Sequence, residues 1–135
     1  MSKDSQYHSK ASAKYLLKIH LILVCKYMKQ LLIETGDDCK QIIFEISKPS
    51  NFTIDAMELD KNHIHLLLDI EPKLSVSSIV NRLKSISTNR LWKRPKNFLK
   101  PHFWKERTFW SDGYFACSRG NANMETIKKY IETQG

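Results

Sequence analysis

Residues 52–70 constrain the fold most, because they carry the pattern of two β-strands joined by a turn. Apolar and polar side chains alternate over residues 52–58, which predicts a half-buried strand. A polar turn at residues 60–62 follows, and the apolar run over residues 63–70 predicts the partner strand. We therefore expect an antiparallel hairpin within a larger sheet.

Two histidines, His63 and His65, occupy alternate positions of the second predicted strand. Alternate side chains of a strand point to the same face, so both imidazoles project together and are close enough to bind one metal ion. Ile64, Leu66 and Leu68 then point the other way, into a core. Neutral imidazole is a good ligand for divalent transition metals. Taken alone, the pair fits two structural histidines on a sheet equally well.

The remaining patterns predict a sheet covered by helices. The order β, α, β, β, α, β, α indicates an α+β fold, with a ferredoxin-like antiparallel sheet, helices packed on one face and a C-terminal helix carrying Tyr130. The predicted strands are 15–24, 52–58, 63–70 and 114–118, with residues 31–33 as a candidate for an additional short strand. The predicted helices run from a cap at Thr35 or Asp37 to about 47, from about 75 to 92, and from 124 to about 133.

The length of 135 residues predicts a single domain, which we place at residues 15–135 after a flexible leader at residues 1–14. No apolar run approaches the roughly 20 residues that cross a bilayer, and the first residues lack the apolar segment of a secretion signal. Three widely spaced cysteines form neither a disulfide framework nor a paired zinc motif. These features predict a cytoplasmic protein with no membrane partner.

The net charge of +8 is concentrated in residues 82–107. This segment has nine basic side chains and one acidic one, whereas the other 109 residues carry 13 of each sign. Basic residues with interleaved aromatics suit a polyanion with stackable bases, although a solvated helix face and a loop with core aromatics would look similar. The candidate DNA-binding residues are Arg82, Lys84, Arg90, Lys93, Arg94, Lys96 and Lys100.

The last predicted helix places Tyr130 and Gln134 four residues apart, on one helical face. A tyrosine hydroxyl serves as a nucleophile in some enzymes, and an amide oxygen is a hard metal ligand. The pair alone is more typical of a structural role than of a site.

Taken in chain order, these features resemble the single-tyrosine HUH transposases, short insertion-sequence enzymes that act on single-stranded DNA. The resemblance covers nearly the whole chain. It rests on Ile19-His20-Leu21-Ile22, Lys26-Tyr27, Asn62-His63-Ile64-His65-Leu66-Leu67-Leu68, residues 80–84, Gly113-Tyr114-Phe115 and Tyr130-Ile131-Glu132-Thr133-Gln134.

The resemblance implies a role for each candidate site residue. His63 and His65 would hold a divalent metal, Mg²⁺ or Mn²⁺, with Gln134 as the third protein ligand. Tyr130 would attack a DNA phosphodiester to give a 5′-phosphotyrosine and a free 3′-OH, without a nucleotide cofactor. The family also implies a homodimer that binds DNA hairpins at element ends, and the assignment of hairpin binding to the basic segment is our inference from charge.

Three other functions remain open on the residues. A metal hydrolase is disfavoured, because an HxH hydrolase motif normally adds further His or Asp ligands at short spacing, and Leu66 to Leu68 follow here. A non-catalytic binder of single-stranded nucleic acid would not need both the histidine pair and Tyr130. A domesticated transposase acting on dispersed genomic hairpins would have the same residues.

Overall fold

The fold is described by a computed structural model for residues 8–10, 13–15, 17–95, 98–118 and 124–133. Its elements follow one another along the chain as β1 (His8–Lys10), β2 (Ala13–Tyr15), β3 (Lys18–Val24), α1 (Leu32–Ser47), β4 (Phe52–Leu59), β5 (His63–Ile70), α2 (Val76–Trp92), β6 (Phe115–Ser118) and α3 (Met124–Glu132).

Four antiparallel strands form the central sheet, in the order β4-β5-β3-β6. The hairpin predicted from residues 52–70 is the β4–β5 pair, with Leu59 opposite Ile64 next to the turn. The first strand of the sheet, β3, lies between β5 and β6, which is the strand order of a ferredoxin-like fold. The predicted α+β class and antiparallel sheet are therefore confirmed.

Helices α1 and α2 cover one face of this sheet. Leu21 of β3, Leu66 of β5, Ile43 of α1 and Leu83 of α2 are fully buried there in one apolar cluster. Ser75 caps α2, since its hydroxyl accepts a hydrogen bond from the Ser78 amide. Within the described ranges, no helix is long and apolar enough to cross a membrane.

Helix α3 lies against the opposite face. Tyr130 and Ile131 pack on Ile22 and Val24, the β3 side chains that point away from α1 and α2. The sheet therefore separates two layers, and the alternating residues of β5 that do not enter the main core face α3.

The first helix begins earlier than the sequence predicts. Residues 31–33 are not a strand, and α1 starts at Leu32 rather than at a cap on Thr35 or Asp37. Leu32 is buried, and its amide donates to the Lys61 carbonyl, so a tertiary hydrogen bond replaces a side-chain cap. The Thr35 hydroxyl instead donates to the Leu31 carbonyl inside the first turn.

Strands β1 and β2 pair with each other in a separate two-stranded antiparallel sheet. They give regular structure to part of the segment that the sequence predicts as a flexible leader. The predicted strand at residues 15–24 is accordingly divided, with residue 15 ending β2 and residues 18–24 forming β3.

Candidate active site

Three histidines share the face of the sheet that α3 covers. His63 and His65 point there from β5, as the alternation predicts, and lie opposite Val24 and Ile22 of β3. His20 lies on the same face of β3, opposite Leu67, and is therefore the diagonal neighbour of His65. Sequence reasoning missed His20 as a site residue because only the β3–β5 register brings it to the pair.

Each histidine of the pair has one ring nitrogen in a hydrogen bond. His63 Nδ1 lies 2.9 Å from Asn62 Oδ1, so Nδ1 carries the proton and Nε2 keeps its lone pair for a ligand. His65 Nε2 lies 2.8 Å from His20 Nδ1, and the two ring centroids are 5.0 Å apart. The imidazoles are thus held in fixed orientations by neighbouring side chains.

The histidine pair opens into a cleft of about 850 Å³ between the sheet and α3. Ile22 and Met28 provide apolar walls. The charged side chains that line the cleft are Glu58 and Asp60 from the β4–β5 hairpin and Glu125, Lys128 and Glu132 from α3. The described lining thus carries four carboxylates and one ammonium group, and this excess of negative charge favours a cation.

Partial burial keeps both histidines neutral at neutral pH. It is the main cause of the lowered pKa of His63 and of His65, and the neighbouring His20 lowers the pKa of His65 further. The Asp60 carboxylate acts in the opposite direction on His63. Neutral imidazole is the form that binds a metal, so both rings are in a form able to coordinate one at pH 7.

The donor set fits a divalent metal but is incomplete within the described residues. Two imidazoles and a surrounding negative potential suit Mg²⁺ poorly and Mn²⁺ better, since Mn²⁺ accepts nitrogen ligands more readily. Among the described residues, no group of three or more His, Cys, Asp or Glu side chains is close enough together to bind a metal. A third protein ligand would therefore be of another type or come from another part of the chain.

Two predicted site residues, Gln134 and Lys96, lie outside the described residues. The structure therefore does not test the predicted third metal ligand. The preceding residues of α3, up to Glu132, run along the cleft, and Thr133 continues the last turn with its amide bonded to the Lys129 carbonyl.

Tyr130 lies beside the histidine cleft rather than next to the imidazoles. Its ring packs against Phe115 of β6, with centroids 5.6 Å apart. Phe115 lies opposite Ile22 of β3, and Ile22 lies opposite His65 of β5. Phe115 is thus two strands from His65, about 10 Å across the sheet. The Tyr130 hydroxyl is buried without a hydrogen-bond partner among the described residues, and burial raises its pKa.

The basic side chains of residues 82–95 and 98–107, the described part of the predicted segment, do not form one continuous track. Arg82 and Arg90 of α2, and Arg94 just after it, point towards α1 and the turn that follows α1. In that turn, Ser50 Oγ accepts a hydrogen bond from Arg82 Nε at 2.8 Å. Arg90 lies 3.7 Å from a carboxylate oxygen of Glu45, and Arg94 lies 3.8 Å from one of Asp38. Lys93 and Lys100 are exposed beyond the end of α2. All of these residues lie in or beside the α1–α2 layer, across the sheet from the histidine cleft.

Lys84 points to the other side of α2. Its Nζ donates to the carbonyls of Ser111, Asp112 and Gly113 at 2.6, 3.1 and 2.7 Å, and burial lowers its pKa. An ammonium group has three protons, so all of them are used here. Lys84 therefore holds the 111–113 loop on α2 in the absence of DNA. A groove of about 740 Å³ lies beside this contact, between α2 and residues 107–114.

The interleaved aromatics divide into core and surface residues. Phe103, Phe109 and Trp110 are buried in the main core. Trp104 is 83% exposed and Phe98 is 43% exposed. The surface pair, and not the whole aromatic set, is therefore available to stack on bases.

A ferredoxin-like sheet that carries a histidine pair and a helix-borne tyrosine on one face has the architecture of an HUH nuclease domain. The family described as "Transposase IS200 like" matches residues 13–134, and the chain belongs to this family of single-tyrosine HUH transposases. Two relatives support this. The chain is 31% identical over 121 residues to the ISDra2 transposase TnpA of Deinococcus radiodurans, covering 89% of this chain and 85% of the relative. It is 32% identical over 127 residues to the transposase for insertion sequence element IS200 of Salmonella typhimurium, covering 93% and 82%.

Two solved structures share the fold. A protein from Deinococcus radiodurans R1, described as a transposase, superposes with a TM-score of 0.85 at 27% identity, covering 94% of this chain and 97% of that one. A REP-associated tyrosine transposase bound to a REP hairpin superposes with a TM-score of 0.56 at 15% identity, covering 92% and 69%. The second likeness shows the fold alone.

Proposed function

We propose that this transposase cleaves and rejoins single-stranded DNA at element ends through a covalent bond to Tyr130. The observation that carries the proposal is the placement of the neutral His63–His65 pair and of the tyrosine helix on one face of the sheet, around a single cleft. A sheet face with only structural histidines would not need an open, negatively charged cleft beside them.

In the proposed reaction, Tyr130 Oη forms a bond to the phosphorus of a DNA phosphodiester. The bond from phosphorus to the 3′ oxygen breaks, the phenol loses its proton and the 3′ oxygen takes one up, so the products are a 5′-phosphotyrosine and a free 3′-OH. His63 and His65, with Gln134 as a third ligand, would hold a divalent metal, which would polarise the phosphate and neutralise charge that develops in the transition state. Attack by a 3′-OH on the phosphotyrosine reverses the step, so the bond energy is conserved and no nucleotide is required.

Tyr130 must reach the cleft for this chemistry. Its ring packs on Phe115 and its hydroxyl is buried, and this burial raises the pKa of Tyr130 above its ordinary value. We propose that the protein acts as a homodimer in which Tyr130 of one protomer serves the histidine pair of the other. Mixing a Tyr130→Phe protein with a His63→Ala, His65→Ala protein is then expected to restore cleavage that neither has alone, and no restoration would indicate that each protomer works by itself.

We further propose that the α1–α2 layer binds the duplex part of a DNA hairpin, with Trp104 and Phe98 contacting unpaired bases. Exposed lysines and arginines at this layer provide phosphate contacts, and exposed aromatics stack on bases of any sequence. Hairpin binding and strand cleavage would then occur on opposite faces of the sheet. A transposase that acts at the ends of its own element and a domesticated relative that acts on genomic hairpins would both work in this way.

A cleavage assay tests the proposal. The full chain is incubated with Mn²⁺ and a single-stranded oligonucleotide taken from the DNA that flanks its gene, including any hairpin, and denaturing gels are used to detect a protein–DNA adduct. We expect an adduct with the unmodified protein and with Tyr114→Phe, and none with Tyr130→Phe, although the latter still binds DNA. An adduct that persists in Tyr130→Phe would show that the nucleophile is assigned wrongly.

The same assay separates the histidine pair from the fold. The His63→Ala, His65→Ala protein is expected to lose Mn²⁺-dependent cleavage while keeping its circular dichroism spectrum. Unchanged cleavage in this variant would rule out the metal site. DNA binding without any adduct in the unmodified protein would favour the non-catalytic binder.

A further inference from the structure

We infer that His20 positions His65 for metal binding. His20 Nδ1 accepts a hydrogen bond from the Nε2–H group of His65, so that His65 Nδ1 keeps its lone pair for the metal. The inference rests on the metal site of the proposed function and adds a residue to it. It is carried by the 2.8 Å contact between His20 Nδ1 and His65 Nε2.

This contact determines which atoms of His65 are available. A hydrogen bond between two ring nitrogens holds one proton, so one nitrogen donates and the other accepts. If His65 Nε2 donates, His65 Nδ1 keeps its lone pair and is able to bind a metal. If His20 Nδ1 donated instead, the neutral His65 ring would carry its proton on Nδ1 and neither of its nitrogens would be available.

The arrangement repeats the one that the structure shows for His63. His63 Nδ1 donates to Asn62 Oδ1, and its Nε2 remains for a metal. A metal-binding histidine normally donates its second ring N–H to an acceptor, which fixes the tautomer and the ring orientation. Asn62 provides that acceptor for His63, and His20 provides it for His65.

The backbone explains why His20 is able to do this. It lies on β3 two residues from Ile22, and Ile22 is opposite His65, so the antiparallel register places His20 and His65 diagonally on one face. The two rings are inclined by 44° with centroids 5.0 Å apart, which brings nitrogen towards nitrogen rather than stacking the rings. Both histidines are partly buried, so water competes little for the bond.

A matched pair of substitutions tests the inference. His20→Asn keeps an oxygen acceptor close to the position of Nδ1, and His20→Leu has nearly the same shape without an acceptor. Mn²⁺ binding to the metal-free protein is measured by loss of the free-Mn²⁺ signal in electron paramagnetic resonance, with the exposed His102→Leu as control. We expect about tenfold weaker binding for His20→Leu, affinity close to that of the unmodified protein for His20→Asn, and no change for His102→Leu.

The outcomes separate this inference from the proposed function. If the unmodified protein binds no Mn²⁺, the metal site and the role of His20 are both wrong. If it binds Mn²⁺ and His20→Leu binds equally well, or if Asn and Leu weaken binding equally, only the role of His20 is wrong. Long-range ¹H–¹⁵N spectra of the metal-free protein give a second test, in which we expect the proton of His65 on Nε2, and a proton on Nδ1 would overturn the inference.

Discussion

At the scale of one residue, the hydroxyl of Tyr130 opposes stability, and its proposed role as the nucleophile would account for its presence. Its hydroxyl is buried with no partner in the described part of the chain, whereas its ring packs well on Phe115. A buried polar group without a hydrogen bond costs folding free energy, so a residue kept there despite the cost is typical of a functional site.

Replacing Tyr130 by phenylalanine is expected to stabilise the protein by about 1 kcal/mol, because the ring contacts remain and the unpaired hydroxyl is removed. Thermal unfolding would then shift upwards by about 3 °C. The raised pKa adds a pH signature: the unfolded chain loses the Tyr130 proton near pH 10, before the folded protein does, so stability falls above pH 10. The Phe variant should lose less stability there, and a Phe variant less stable than the parent at pH 7 would contradict this account.

Lys84 was predicted to bind DNA, and its contacts give it a structural role. Lys84→Met removes three hydrogen bonds to the 111–113 carbonyls and is expected to cost about 1–3 kcal/mol of unfolding free energy. The salt dependence of DNA binding should stay the same. Lys93→Met, at an exposed lysine, should leave stability unchanged and reduce the slope of log affinity against log salt by about one. If Lys84→Met instead reduced the salt dependence of DNA binding and left stability unchanged, Lys84 would be a DNA contact.

At the scale of elements, the sequence was informative wherever a local period decided the structure. The alternation of β4 and β5 and the helical period of α2 were predicted almost to the residue. The start of α1 was predicted wrongly, because burial of Leu32 and a bond to Lys61 replace the usual cap. His20 was missed for a related reason: the register between β3 and β5 depends on contacts 45 residues apart.

The segment from residue 98 to residue 107 shows the same limit, because spacing does not distinguish a buried aromatic from an exposed one. Trp104→Ala is expected to weaken binding of single-stranded DNA by about 1–3 kcal/mol without changing thermal stability, since the side chain is 83% exposed. Trp104→Phe should keep most of the affinity. Phe103→Ala, at a buried neighbour, should instead lower stability by about 3–5 kcal/mol. Equal DNA binding by Trp104→Ala and the parent protein would exclude the stacking role.

At the scale of the whole molecule, the sheet divides the proposed work between its two faces. The main core, α1 and α2 form a stable layer that carries the exposed basic residues, and the histidine cleft lies on the other side under a nine-residue helix. A helix of this length is marginal alone and depends on its packing, so α3 is the element best suited to move relative to the sheet. Such a movement would let Tyr130, which is buried beside the cleft in this structure, reach a phosphate as the proposed reaction requires.

The central claim is that Tyr130 becomes bonded to DNA. The most direct measurement is tandem mass spectrometry of the trapped adduct after nuclease and protease digestion, which identifies the residue that carries the 5′-phosphate. The account predicts that the modification is on Tyr130, in the peptide that contains α3. Modification of an exposed tyrosine such as Tyr27 or Tyr114, or of a residue that is not tyrosine, would contradict it.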